Sequence, residues 1–247
     1  MARKKAKPRS GAKRAASGGR TGDAPDSRER LLRAAHLEFA AEGLRGARVD
    51  VIARRAKINK QLIYYHFGDK DGLYLAVLEH AYSEIRQKEH DLHLSNDEPV
   101  EAMRKLIGFT FDYDAEHREF VRLLINENIL EARFVRRSKL IKQTSSPMLD
   151  LLRDTLKRGA AAGEFRGDID PVQFYISMAA LCFFYVGNVH TLSALFERDF
   201  NRPELLAERR KHVIDFVLGY LRPEEKVAAK TKRVAHDAAR PGRGVAV

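Results

Sequence analysis

The chain has 247 residues, with 45 Lys and Arg against 34 Asp and Glu for a formal net charge of +11, a single Cys and no Trp. That length is enough to bury a sizeable apolar core, and a composition 44% hydrophobic and 9% aromatic excludes wholesale disorder. No apolar run nears the roughly 20 residues of a membrane helix, and no apolar h-region follows the basic N-terminus. A lone Cys182 builds neither a disulfide framework nor a cysteine-rich zinc site. A cytoplasmic protein with no membrane partner is the expectation.

The charge is concentrated at the ends. Residues 1–22 carry eight basic side chains and no acid, and residues 226–247 carry six basic and one acidic. The part between them is nearly neutral, with +3 over residues 26–72 and −4 over residues 73–225. Both ends are rich in Ala, Gly, Ser and Pro without apolar periodicity, so residues 1–25 and 223–247 read as basic disordered arms.

Between the arms the pattern predicts an all-α fold, because apolar residues recur at three and four and no stretch alternates as a strand does. A helix is expected to open at Asp26, with Glu29 completing a capping box, to bury Leu31, Leu32, Ala35 and Phe39, and to stop at Gly43. A short helix follows with Val49, Ile52, Ala53 and Ala56 on one face. After Lys57-Ile58-Asn59 comes another, capped by Asn59 and turning Leu62, Ile63 and Phe67 inward. Asp69 caps a fourth, striped by Leu73, Val77, Ala81 and Ile85. Later helices are expected from Pro99, over about residues 116–131, from Ser146-Pro147 to Gly163, from Asp170-Pro171 as far as Phe196, and from Pro203 to Tyr220. Gly187 beside Asn188 points to close packing or a bend within the fourth of these.

Two short helices joined by three residues have the dimensions of a helix-turn-helix. Ala53 is small where the second helix crosses it, and Ile58 fills the angle between the two. With Ile63 inward, Lys60, Gln61, Tyr64 and Tyr65 point outward. Lys and Gln read base edges in the major groove, and Tyr hydroxyls suit phosphates.

The segment from Arg30 to Leu78 resembles the DNA-binding head of the TetR (tetracycline repressor) family of bacterial regulators. The likeness rests on Ile52-Ala53, on the run Asn59-Lys60-Gln61-Leu62-Ile63-Tyr64-Tyr65-His66-Phe67, and on Gly68-Asp69-Lys70-Asp71-Gly72-Leu73. It implies a three-helix DNA-binding head over residues 26–72 and a helical ligand-binding and dimerisation domain over residues 73–222. It places Arg48, Lys57, Asn59, Lys60, Gln61, Tyr64, Tyr65, His66 and Lys70 at the DNA. Two departures stand out. Arg48 replaces the family's usual Thr or Ser and cannot cap the following helix with a hydroxyl. Lys57 replaces its usual Gly, at a cost of roughly 1 kcal/mol if its φ is positive.

The resemblance implies a homodimer paired through the last two long helices, bound to double-stranded operator DNA and released by a small-molecule effector. Aromatic side chains set beside sparse polar groups make Phe111, Glu127, Asn128, Phe174, Tyr175 and Asn188 the expected ligand-binding set, suited to a mostly apolar or aromatic molecule. Each polar member is of a kind more often internally satisfied or exposed than in contact with a ligand. Cys182 reads as a buried structural thiol. His90-Asp91-Leu92-His93 has the spacing of metal ligands without a further partner, so no metal or cofactor is expected. No Gly-x-Ser-x-Gly, phosphate loop or His-Glu-x-x-His supports an enzyme. The alternative is a sequence-neutral, histone-like architectural protein, suggested by the basic arms.

Overall fold

Helical periodicity carries into the computed structural model, which describes residues 24–223 and forms ten α-helices and one 3-10 turn among them. The arms expected at 1–25 and 223–247 lie outside the described residues, but for Ala24, Pro25 and Pro223. The first helix, α1, covers Ala24–Gly46 and so begins ahead of Asp26. Asp26 and Glu29 therefore do not form the expected capping box. They pair one turn on with Arg30 at 3.5 Å and Arg33 at 2.9 Å. Gly43 interrupts the helix at φ 65°, a backbone that its missing Cβ makes accessible.

The next helix, α2 (Val49–Ala56), buries Ile52, Ala53 and Ala56, and Lys57 follows in the left-handed region at φ 55°. In α3 (Gln61–Phe67) only Ile63 is buried. Leu62, expected inward, is exposed, and Phe67 is half-buried. So short a helix presents one central position to the core, and its flanking apolar residues stay at the edge. Asn59 does not occupy the N-cap position, which falls to Lys60, but its Oδ1 accepts the Gln61 N–H at 2.9 Å. At the start of α4 (Lys70–His90) the Asp69 carboxylate accepts the Gly72 N–H at 2.6 Å. That helix buries Leu73, Tyr74, Val77, Leu78, Ala81 and Ile85 on one stripe.

Six helices follow: α5 (Pro99–Glu116), α6 (Arg118–Ile129), α7 (Lys139–Ala161), α8 (Pro171–Gly187), α9 (Val189–Leu195) and α10 (Pro203–Leu221). Proline opens α5, α8 and α10, where its missing N–H has no intrahelical partner to lose. Pro147 behaves differently. It lies inside α7, which starts at the Ser138 cap with Ser138 Oγ accepting the Ile141 N–H at 3.1 Å. The turn before Pro147 is tied by hydroxyls, Thr144 to Leu140 O and Ser145 to Ile141 O. The single helix expected from Asp170 to Phe196 divides at Asn188 into α8 and α9, bent by 66°.

Two apolar cores result. One gathers Leu31, Phe39, Ile52, Ile63 and Tyr74 and runs on into Phe120, Leu123 and Phe134. Tyr74 is fully buried, with its ring edge-on to Phe39 at 5.0 Å and Phe134 at 4.9 Å. The other core holds Met103, Ile107, Phe111, Met178, Cys182 and Val213. Cys182 is fully buried, and burial pushes its thiol up to about 12. The boundary expected after residue 72 falls within α4, which belongs to the head at one end and the body at the other.

A Cβ at residue 72 would run into the Phe67 carbonyl, an obstacle of backbone. Gly72→Ala should therefore cost about 1–3 kcal/mol, read as a lower thermal midpoint. Gly167→Ala, where the added Cβ meets nothing within 4 Å, should leave the midpoint in place. Asp114 on α5 is buried, and burial alone raises its carboxyl to about 7 from an ordinary 3.8. The fold thus holds more protons than the unfolded chain between pH 4 and 7. Stability should fall as pH rises through that window and level off above it. In denaturant titrations across this range, Asp114→Asn should flatten the slope; an unchanged slope would assign it to other groups.

Candidate nucleic-acid interface

The outer face of the helix-turn-helix is built by subtraction. Ile52, Ala53, Ala56 and Ile63 turn into the core, and what remains outside is Lys57, Asn59, Lys60, Gln61, Tyr64 and Tyr65, all exposed. Tyr65 is 81% exposed and Tyr64 47%, unusual for rings with no partner to cover them. Arg48 is exposed at the start of α2, with its guanidinium 3.2 Å from Asp50.

Two of the nine residues expected at the DNA also have partners within the head. His66 is half-buried, its Nε2 3.4 Å from Ser27 Oγ on α1. Lys70 Nζ donates to Ala47 O at 3.2 Å and Arg45 O at 3.4 Å, so its ammonium caps the carbonyl end of α1. Both side chains hold α3 and the start of α4 against α1.

Two further residues do the same for α2, and neither stands out in the sequence. Glu38, 5% exposed, accepts the Arg48 N–H at 3.3 Å and lies 3.6 Å from Arg55. Its carboxylate thus stands at the amino end of α2, where Arg48 gives no side-chain cap. Arg30 donates to Ala56 O at 2.6 Å and Lys57 O at 3.2 Å, at the carboxyl end of the same helix. A negative group at the start and a positive one at the end complement the helix dipole. Of the remaining arginines, Arg28 lies over the Phe67 ring at 5.5 Å and Arg33 pairs with Glu29.

None of the expected ligand-binding residues lines either of the two clefts described below. Phe111 and Phe174 are core. Glu127 is 2% exposed and accepts the Phe134 and Val135 N–H groups at 2.7 and 3.0 Å, so it fastens the turn after α6. Asn128 is exposed, its amide folded back onto Leu124 O, and Asn188 bonds Phe184 O in the same manner. These amides bond their own helices, because a short polar side chain in a helix finds a carbonyl four residues back. Tyr175 is half-buried, with its hydroxyl 3.5 Å from Arg86 Nη2.

Clefts open in other places. One of about 820 Å³ lies between α8, α9 and α10, against Phe184, Phe196, Arg209 and Phe216. Another, of about 330 Å³, lies between α4 and α7, against Arg86, Glu89, Pro147, Met148 and Leu151. Arg86 and Glu89 were legible only as two charges three residues apart, a spacing that a solvated helix face shares. His90 and His93 approach to 6.1 Å between rings, and among the described residues no three His, Cys, Asp or Glu side chains form a metal-sized group.

If Glu38 supplies the missing cap, Glu38→Ala should cost about 1 kcal/mol, read as a fall in thermal midpoint. Adding Arg48→Thr, which restores a capping hydroxyl, should recover the loss. A fall that Arg48→Thr leaves in place would refute the capping role.

Comparison with known proteins places this geometry. Residues 31–77 match the model of bacterial regulatory proteins of the tetR family, and residues 99–217 match the tetracyclin repressor-like C-terminal domain. The chain is 36% identical over 206 residues to the HTH-type transcriptional repressor NicS of Pseudomonas putida, covering 83% of this chain and 97% of that protein. It is 38% identical over 107 residues to the HTH-type transcriptional repressor SCO4008 of Streptomyces coelicolor, 43% of this chain and 52% of that one. The crystal structure of SCO4942 from Streptomyces coelicolor shares the fold, with a TM-score of 0.61 at 23% identity over 80% of this chain and 99% of that one. With a helix-turn-helix head, a helical body and a relative matched over 97% of its length, the chain belongs to the TetR family of DNA-binding transcriptional regulators.

Proposed function

We propose that this regulator represses transcription from a palindromic operator as a homodimer and leaves the DNA when a small molecule occupies its helical body. The observation that carries the reading is the outward face of α3, where Gln61, Tyr64 and Tyr65 stand exposed beside Lys60 while Ile63 anchors the opposite side. In this reading Lys60 and Gln61 reach base edges. Tyr64, Tyr65, Lys57 and Arg48 meet phosphates. Asn59, His66 and Lys70 set the pose of α3. Arg45 and Arg54 are exposed without an ion pair or side-chain hydrogen bond among the described residues, and they supply further phosphate contacts.

An apolar stripe supports the dimer. Val172, Ile176 and Phe184 on α8 and Phe216 and Tyr220 on α10 are between 45% and 58% exposed. A second copy related by a two-fold axis would cover them as a four-helix bundle. The heads would then address half-sites about 34–36 Å apart. That two relatives are named repressors supports repression and weighs against sequence-neutral DNA packaging. Among the described residues no single helix is long and apolar enough to cross a membrane. Work on chromosomal DNA places the protein in the cytoplasm.

The test is retention of the fragment upstream of its own gene against competitor DNA. Tyr64→Ala should weaken binding at least tenfold with the dimer intact. Gln61→Ala should relax preference at one base pair, about 1–3 kcal/mol. Wild-type affinity and specificity in both variants would remove α3 from the recognition surface.

A further inference from the structure

The cleft of about 330 Å³ between α4 and α7 has one polar wall and one largely apolar wall. Ser83, Arg86, Gln87, Glu89 and His90 on α4 face Pro147, Met148 and Leu151 on α7, with Thr144 at the edge and its hydroxyl bonded to Leu140 O and Ile141 O. The polar wall is a charge pair held away from water, with the side chains of Arg86 and Glu89 only 12% and 7% exposed and bonded Nη1 to Oε2. Its hydrogen-bonding capacity is far from used. A guanidinium has five N–H donors and a carboxylate about four lone-pair sites. Among the described residues Arg86 meets Glu89 and, at 3.5 Å, the Tyr175 hydroxyl, and its buried Nε has no partner. The Glu89 carboxylate accepts, among the described residues, from Arg86 alone. Buried polar groups left this incomplete are rare in a settled core, and here they border a cavity.

We infer that this cleft is the effector site, and that it takes an uncharged molecule about one ring in size, with a hydrogen-bond acceptor beside an N–H donor, as in a carboxamide or lactam. The inference rests on the ligand-released repressor reading and deepens it. Charge decides between ligand classes. The Arg86–Glu89 pair is neutral as a unit, so a carboxylate ligand would leave a net negative charge among buried groups, or drive Glu89 off its partner. Both are costly. A carboxamide adds no charge: its carbonyl accepts from Arg86, its N–H donates to Glu89, and its ring lies on Pro147, Met148 and Leu151. Met148 is unbranched and adapts to the shape of what it packs against. The site also lies on the helix that starts directly after the recognition helix, so an occupant bears on α4 at its far end.

The test uses the full-length protein with benzamide, δ-valerolactam and benzoate as probes, read by thermal midpoint and by retention of the upstream fragment. Benzamide or the lactam should raise the midpoint and weaken DNA binding by tenfold or more. Benzoate, of the same shape but charged, should do neither at equal concentration. Arg86→Met with Glu89→Met removes both charges together, leaving no unpaired buried charge, and should abolish the response while DNA binding persists. Leu151→Trp fills the cleft from the apolar wall and should abolish it with the pair intact, which covers failure of the double variant to fold. A benzoate response equal to that of benzamide, a wild-type response in Leu151→Trp, or no midpoint change with any probe would overturn the site. A midpoint raised by benzamide in a protein that never binds the fragment would instead overturn the repressor reading and leave the site standing.

Discussion

The recognition surface depends on how α1 grips α2. An eight-residue helix is too short to be stable alone, and α2 buries only three small or branched side chains. What fixes it is a pair of charges on α1 two turns apart, Glu38 at its amino end and Arg30 at its carboxyl end. Each satisfies backbone groups that a helix terminus leaves open, and each opposes the sign of the dipole it meets. The turn into α3 then follows from α2. Lys57 and Ile58 donate back to Arg54 O and Ala53 O, and the left-handed backbone at Lys57 sends the chain across. A loose α2 would therefore be a misaimed α3.

The same economy of elements joins the head to the body. α4 begins beside α3 and continues down to Glu89, so the two ends of one helix carry the Asp69 cap and the Arg86–Glu89 pair. Tyr74 sits between rings of α1 and of the turn after α6, and burial, then Glu127, pushes its phenol far above the ordinary range. Asn126 on α6 donates to Phe39 O in α1 at 3.1 Å, and Arg133 pairs with Asp71 at 2.9 Å. A shift of the body against α4 or α6 thus reaches α3 through packed and bonded groups. From Lys70 to His90 the connection is one unbroken helix.

Sequence periodicity made the helices legible, and the Tyr-Tyr-His-Phe run made the head legible, because both are local. The failures are non-local. Pro147 reads as a helix start until Ser138, nine residues earlier, is seen to hold the Ile141 N–H. His66 and Lys70, which the resemblance places at the DNA, also bond back toward α1, and nothing local shows that Ser27 and the Ala47 carbonyl will be within reach. Glu38 falls one residue before Phe39 in an amphipathic helix and passes for solvated charge, although the start of α2 closes over it.

Glu127 and Asn128 show why polarity within an apolar helix is a poor guide to a ligand site. Side by side in sequence, they point to opposite environments, one 2% exposed and one in solvent. Both are occupied with backbone, Glu127 by two N–H groups of the following turn and Asn128 by a carbonyl of its own helix. A backbone partner is nearly always available to a single polar group, so a single polar group carries little information. A pair is different. Arg86 and Glu89 satisfy part of each other, yet two buried side chains with so many donors and acceptors cannot complete their bonding within one helix turn. Across the gap α7 offers Pro147, Met148 and Leu151 beside Thr144, whose hydroxyl is spent on the carbonyls of its own helix. The information lies in that mismatch of facing walls, a property of packing that no single segment of the sequence contains.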